Sequence, residues 1–188
     1  MYVPWEYPNL AKARVRVRVK GLVGIASEVR IIKAQQGDLD KVLEILDEAS
    51  RWLSSKGLET QWLASPTFRQ TIKDNIDRGE VYVVKDVKET VGTITLQWND
   101  RKFWGDLPPD AGYIHKLAMV RSRAGQHLGL RLLHWAEDKT RAEGKRYLRL
   151  DCIASNKIIR EYYEKAGFTH IRDTEMPGWK ASLYEKKL

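Results

Sequence analysis

Arg123-Ala-Gly-Gln-His-Leu-Gly129 follows Tyr113-Ile-His-Lys-Leu-Ala-Met-Val120 and runs into Leu128, Leu132, Leu133 and Ala136, which recur at three- and four-residue spacing before Gly144. The preceding stretch is rich in β-branched and aromatic residues, lacks Gly and Pro, and reads as a strand. The following stretch reads as an amphipathic helix that Gly144 stops. The glycines therefore lie at a strand-to-helix turn. Unpaired N–H groups of the first helical turn point back at such a loop, and small residues let a pyrophosphate come close. An ordinary tight turn uses the same residues, so the loop by itself leaves both readings open. No Gly-Lys-Ser/Thr follows, as a nucleotide-hydrolysing loop requires, and the dinucleotide-binding glycine spacing is missing.

The next unit adds weight. Tyr147-Leu-Arg-Leu-Asp-Cys-Ile153 reads as a second strand, and a short helix follows from Asn156, with Ile159, Tyr162, Tyr163 and Ala166 on one side and Gly167 at its end. Asn156, Tyr163, Gly167 and Phe168 are spaced as Asn, Tyr seven residues on, then Gly-Phe. Leu117-Ala118-Met119 ends the earlier strand ten residues before Gly129. With these two spacings the chain resembles the GNAT superfamily of acyl-CoA-dependent N-acetyltransferases over residues 112–168. One departure stands in the loop: the family form is Gln or Arg, two residues, Gly, one residue, then Gly or Ala. Ending at Gly129, that form puts His127 where the first Gly belongs and Ala124 where the Gln or Arg belongs. A side chain at 127 crowds the pyrophosphate if the backbone there needs a glycine conformation. The expectation is instead that His127 sits in ordinary helical geometry and points outward.

The resemblance implies acetyl-CoA as co-substrate, no metal, and transfer of the acetyl group to a primary amine of a small molecule, amino acid or peptide. Leu117, Ala118 and Met119 would hold the pantetheine as an added strand. Amides of Gly125, Gln126, His127, Leu128, Gly129 and Leu130 would hold the pyrophosphate, and Asn156 the pantetheine arm. Tyr163 would protonate the departing sulfur, with Tyr162, one helical step away, as its control. Relatives often carry a carboxylate base on the fourth strand, and residues 112–120 contain none. His115 is the substitute there, since histidine changes charge near neutral pH. Glu59 and Asp151 are the carboxylates available for an acceptor ammonium, or for structural ion pairs. Trp62 and Trp98 are candidate pocket aromatics, as are Phe103 and Trp104, though tryptophans also serve as packing anchors.

Outside this region the order of elements is read from periodicity. Val29–Lys33 is a short strand, and Gly37-Asp38 opens a helix with Leu39, Val42, Leu43, Leu46 and Ala49 inward, closing near Gly57. Ser65-Pro66 starts another with Phe68, Ile72 and Ile76, stopped by Gly79. Runs 81–84 and 91–98 pair as a hairpin around Lys88-Glu89, and two last strands lie near 169–172 and 180–185. This is an α+β order with a central mixed sheet. By the resemblance, the sheet is mostly antiparallel, of about seven strands, flanked by about four helices, over residues 29–188.

Composition bounds the rest. With 188 residues and 43% hydrophobic content, one domain of ordinary size is expected. The lone Cys152 forms no internal disulfide and is expected to be buried. No apolar run reaches transmembrane length and no secretory signal is visible, so a cytoplasmic protein without a membrane partner is expected. The net charge of +8 suits the coenzyme phosphates, around which Arg121, Arg123, Arg131 and Lys157 would gather. Arg14-Val-Arg-Val-Arg-Val-Lys20 puts four cations on one strand face within a basic extension, residues 1–28. It reads as a strand arm or a disordered leader. Nucleic acid remains the less favoured partner, a homodimer stays open, and a non-catalytic acyl-CoA-responsive or nucleic-acid-binding module is the alternative function.

Overall fold

The computed structural model describes residues 29–60, 62, 64–87 and 89–188. The extension 1–28 and Lys88 of the expected hairpin turn lie outside the described residues. The β-branched runs form seven strands, β1 (Val29–Lys33), β2 (Val81–Asp86), β3 (Glu89–Gln97), β4 (Ala111–Met119), β5 (Tyr147–Ile153), β6 (Thr169–Met176) and β7 (Trp179–Lys187). They make one sheet in the order β1-β2-β3-β4-β5-β7-β6, antiparallel throughout except for the parallel pair β4–β5. That pair needs a crossover, and the helix read after the glycine loop supplies it.

Among the described residues five α-helices flank the sheet: α1 (Leu39–Ser55), α2 (Pro66–Asp77), α3 (Arg101–Trp104), α4 (Leu128–Ala142) and α5 (Lys157–Lys165). The expected α+β architecture is borne out. The single turn α3 is additional, and Asp100 caps it by accepting from the Phe103 amide. Ser65 caps α2 in the same way and Pro66 fills its first position, where a missing N–H costs nothing.

Two hydrophobic layers result. Val42, Ile45 and Leu46 of α1 and Ile72 and Ile76 of α2 bury against Val81 and Val83 on one face. Leu132, Leu133 and Ala136 of α4 and Tyr163 of α5 bury against Ile94, Leu96, Leu148 and Leu150 on the other. Cys152 belongs to this second layer, and burial pushes its thiol up to about 12, so it is inert at neutral pH. Among the described residues no helix is long and apolar enough to cross a membrane.

Asp86, at the end of β2, is ion-paired to Arg123 beyond β4, with its side chain 4% exposed and that of Arg123 30% exposed. Arg123 is thus committed to the scaffold and does not join the expected phosphate cluster. Its replacement by Ala leaves a buried carboxylate without a partner. Breaking a fully buried pair costs about 3–5 kcal/mol, and the partial exposure of Arg123 lowers the expected loss to about 2 kcal/mol in urea unfolding. No change in unfolding midpoint would show the pair to be without net effect.

Candidate active site

The site begins with an irregularity in β4. Its register against β3 shifts between Thr93 and Thr95, which pair with Ala118 and His115. An extra residue is therefore accommodated in β4, where Lys116 takes a left-handed φ of 51°. Side chains alternate along a regular strand, yet Ile114 and Leu117, three apart, both meet the α4 layer while Ala118 meets the α1 layer. The bulge also coincides with the end of β4–β5 pairing. The two strands are paired from Ala111↔Tyr147 to Ile114↔Leu150 and no further. Beyond that point they splay, and among the described residues the β5-facing backbone groups of residues 115–119 have no strand partner.

A cavity of about 610 Å³ fills this wedge and reaches both faces of the sheet. Trp52, Trp62 and Phe68 line it from the α1–α2 side, Ile159, Tyr162 and Tyr163 from the α5 side, and Leu117, Ala118 and Met119 from β4. Glu59 and Ser155 close one rim through a 2.8 Å hydrogen bond donated by the serine. Arg121 forms another part of the rim, its guanidinium 3.9 Å from the Trp52 ring centroid.

The glycine loop lies beside the wedge. Gly125 has a φ of 78° and His127 a φ of 55°. This corrects the expectation for His127: it precedes α4 as a left-handed cap and is not part of the helix. The chain must turn sharply between Arg121–Arg123, a 3-10 turn, and Leu128, and a left-handed residue makes that turn. Among the described residues the amides of Gly125, His127, Leu128, Gly129 and Leu130 have no backbone acceptor. Together with the positive end of α4 they form a concavity whose chemistry suits an anion. Gly129 is needed for close approach: an added Cβ would stand 2.7 Å from the Tyr162 hydroxyl oxygen. At His127 the left-handed conformation costs an L-residue about 1–2 kcal/mol. His127→Gly recovers part of that against the entropy of glycine, and a rise in Tm of about 2 °C is expected by scanning calorimetry. A fall would assign the imidazole a stabilising contact.

Tyr163 is buried among Phe168, Tyr184 and Tyr162, with ring centroids 6.0, 6.3 and 5.6 Å away. Burial pushes its phenol well above the usual range, so it stays protonated. Asn156 is buried and caps α5, its Oδ1 accepting from the Ile159 amide at 3.1 Å. Only its Nδ2 group remains to meet a ligand. His115 stands between two carboxylates, Nδ1 at 3.4 Å from Asp151 Oδ1 and Nε2 at 3.6 Å from Asp100 Oδ2. Burial pushes the Lys116 ammonium below its usual range, opposed by Asp151, Glu80 and Asp100.

Of the residues anticipated from the sequence, Glu59, Trp62, His115, Leu117, Ala118, Met119, Asp151, Asn156 and Tyr163 line one cavity. Trp98 does not join them: its ring lies 3.2 Å from the Cβ position of Gly112, beside Thr140, with Lys145 stacked on it. Trp104 is buried in a separate cluster with Tyr113 and Leu183. Lys116 and Trp52 are additions to the lining, and Asp100 stands behind His115 outside it. Asp100 was visible only as a cap before Phe103, and Lys116 only as the residue after His115.

The acetyltransferase (GNAT) family model matches residues 39–168. The chain belongs to the GNAT family. GNAT relatives of known sequence include the uncharacterised N-acetyltransferase YesJ of Bacillus subtilis strain 168, which is 32% identical over 162 residues, 80% of this chain and 86% of YesJ. Among solved structures, a GNAT acetyltransferase from Listeria monocytogenes 4b F2365 superposes with a TM-score of 0.69 at 26% identity, covering 85% of this chain and 95% of its own. The PaiA N-acetyltransferase of Thermoplasma acidophilum, solved in complex with coenzyme A, shares the fold at TM-score 0.64 and 19% identity, over 86% of this chain and 99% of its own. The resemblance drawn from Asn156, Tyr163, Gly167 and Phe168 is thereby borne out, and with it the expectation of a GNAT N-acetyltransferase.

Proposed function

We propose that the chain transfers an acetyl group from acetyl-CoA to a primary amine of a small molecule, amino acid or peptide by direct attack in a ternary complex. The observation that carries this reading is the β4–β5 wedge, which gathers His115, Asp151, Asn156 and Tyr163 around one cavity beside the free loop amides. Bound in the wedge, acetyl-CoA supplies the thioester to be cleaved. The exposed backbone edge at Leu117–Met119 pairs with the pantetheine amides as a strand would. The amides of Gly125, His127, Leu128, Gly129 and Leu130 take the pyrophosphate, that of Gln126 being given to the Arg123 carbonyl, and Asn156 Nδ2 donates to the arm.

The acceptor approaches from the aromatic side, between Trp52, Trp62 and Phe103, with Glu59 and Asp151 drawing its ammonium inward. His115 removes a proton so that the nitrogen has a free lone pair. As nitrogen joins the carbonyl carbon and the carbon–sulfur bond breaks, the Tyr163 hydroxyl gives its proton to the sulfur, and the surplus proton on the new amide nitrogen is shed and restores the phenol. Thiol release is to be followed with acetyl-CoA and amino acids, peptide N-termini, arylalkylamines and polyamines in turn. Amine-dependent release is expected with at least one class; none across the panel would overturn the reading.

A further inference from the structure

Asp100 has no part in the chemistry above, yet it is almost as enclosed as Asp151 on the other side of His115. Its Oδ1 accepts the Phe103 amide at 3.3 Å and so starts α3. Among the described residues its Oδ2 is buried without a hydrogen-bond partner and faces His115 Nε2, which is also buried and unpartnered. The Asp100 side chain is 6% exposed. Two such groups 3.6 Å apart satisfy one another after a shift of well under the width of an atom.

The two carboxylates beside the ring are not equivalent. Asp151 lines the cavity, so an incoming ammonium can bridge its Oδ1 and His115 Nδ1. Asp100 does not line the cavity, and His115 is the group that faces its Oδ2. Burial raises the Asp100 carboxyl against the pull of His115, and wherever it is ionised it only accepts, so the ring nitrogen turned to it has to carry the hydrogen. A metal ion is a poorer occupant of the Asp100, His115 and Asp151 cluster, although their ligand atoms lie within 4.8 Å of one another. The two acids meet opposite ring nitrogens, and Lys102 and Lys116 on the cavity wall repel an added cation.

We propose that Asp100 is a positioning residue that holds His115 in the Nε2–H tautomer, leaving the lone pair of Nδ1 turned to the cavity and the acceptor amine. The catalytic consequence rests on the reading of His115 as the base; the tautomer does not.

The test is ¹⁵N NMR of His115 with its ring neutral, together with steady-state kinetics, in wild type and Asp100→Asn. The asparagine keeps its Oδ1 on the Phe103 amide and turns an NH₂ to Nε2, which then has to accept. The wild type is expected to show Nε2–H and Asp100→Asn to show Nδ1–H. The variant's kcat falls on the order of 10²-fold with KM for acetyl-CoA unchanged. An Nδ1–H wild type overturns the proposal without any variant, as does Asp100→Asn with wild-type tautomer and kcat. If His115→Gln keeps full turnover while the tautomer follows position 100, the base assignment fails and the positioning role stands.

Discussion

Tyr163→Phe is expected to lower kcat by about 10²–10³-fold while the affinity for acetyl-CoA stays as in wild type, the range that a positioned proton donor contributes. Phenylalanine retains the ring that packs on Phe168, Tyr184 and Tyr162, so fold and coenzyme site are kept and the hydroxyl alone is removed. The hydroxyl carries its proton at neutral pH and its ring lines the cavity; the burial that raises the phenol also weakens it as an acid, so it gives the proton only as charge develops on the sulfur. Tyr162→Phe is the control: Tyr162 is half-buried, packs over Gly129, and is expected to keep kcat within a few-fold. Steady-state thiol release on both variants decides it. Equal losses, or none at position 163, would remove the proton from Tyr163.

Gly129→Val is expected to weaken acetyl-CoA binding by at least about 100-fold. Its Cβ would stand 2.7 Å from the Tyr162 hydroxyl oxygen and 4.0 Å from Leu117 Cδ2, so Tyr162 or the start of α4 has to move. A shift of the α4 start turns the loop amides away from the pyrophosphate, and a shift of the Tyr162 ring reshapes the cavity that it lines. Loss of two charge-assisted hydrogen bonds at about 1.5–3 kcal/mol each exceeds the roughly 2.7 kcal/mol that a 100-fold change in Kd requires. Calorimetric titration of the variant measures this, and unfolding in urea separates it from loss of the fold. Wild-type affinity in a folded Gly129→Val protein would place the phosphates elsewhere.

The strand-to-helix turn and the Asn156–Phe168 spacing were legible because they are local: each is a run of residues whose side chains and turn chemistry state their own conformation. The order of elements along the chain followed from the same runs, with single turn α3 lost because four residues carry no period. What escaped depends on pairing across strands. The extra residue at Lys116 exists only relative to β3, and its single trace is that Ile114 and Leu117 share a layer. His127 was assigned to the helix because the apolar period extends to Leu128; the turn that must precede it has no periodic mark. Trp98 could have been placed from its own strand. Ile94 and Leu96 alternate onto the α4 layer, and the next residue in that alternation is Trp98, which puts it on the far side of the sheet from Trp62. The facing of Asp100 and His115 joins a loop to a strand and had no sequence signal beyond the cap at Phe103.

Titration of the purified protein with acetyl-CoA by calorimetry, wild type beside Gly129→Val, tests the wedge as the coenzyme site most directly. One site with micromolar affinity in wild type, lost in the folded variant, is the predicted result. An absence of binding in wild type, or equal binding by both proteins, would contradict it.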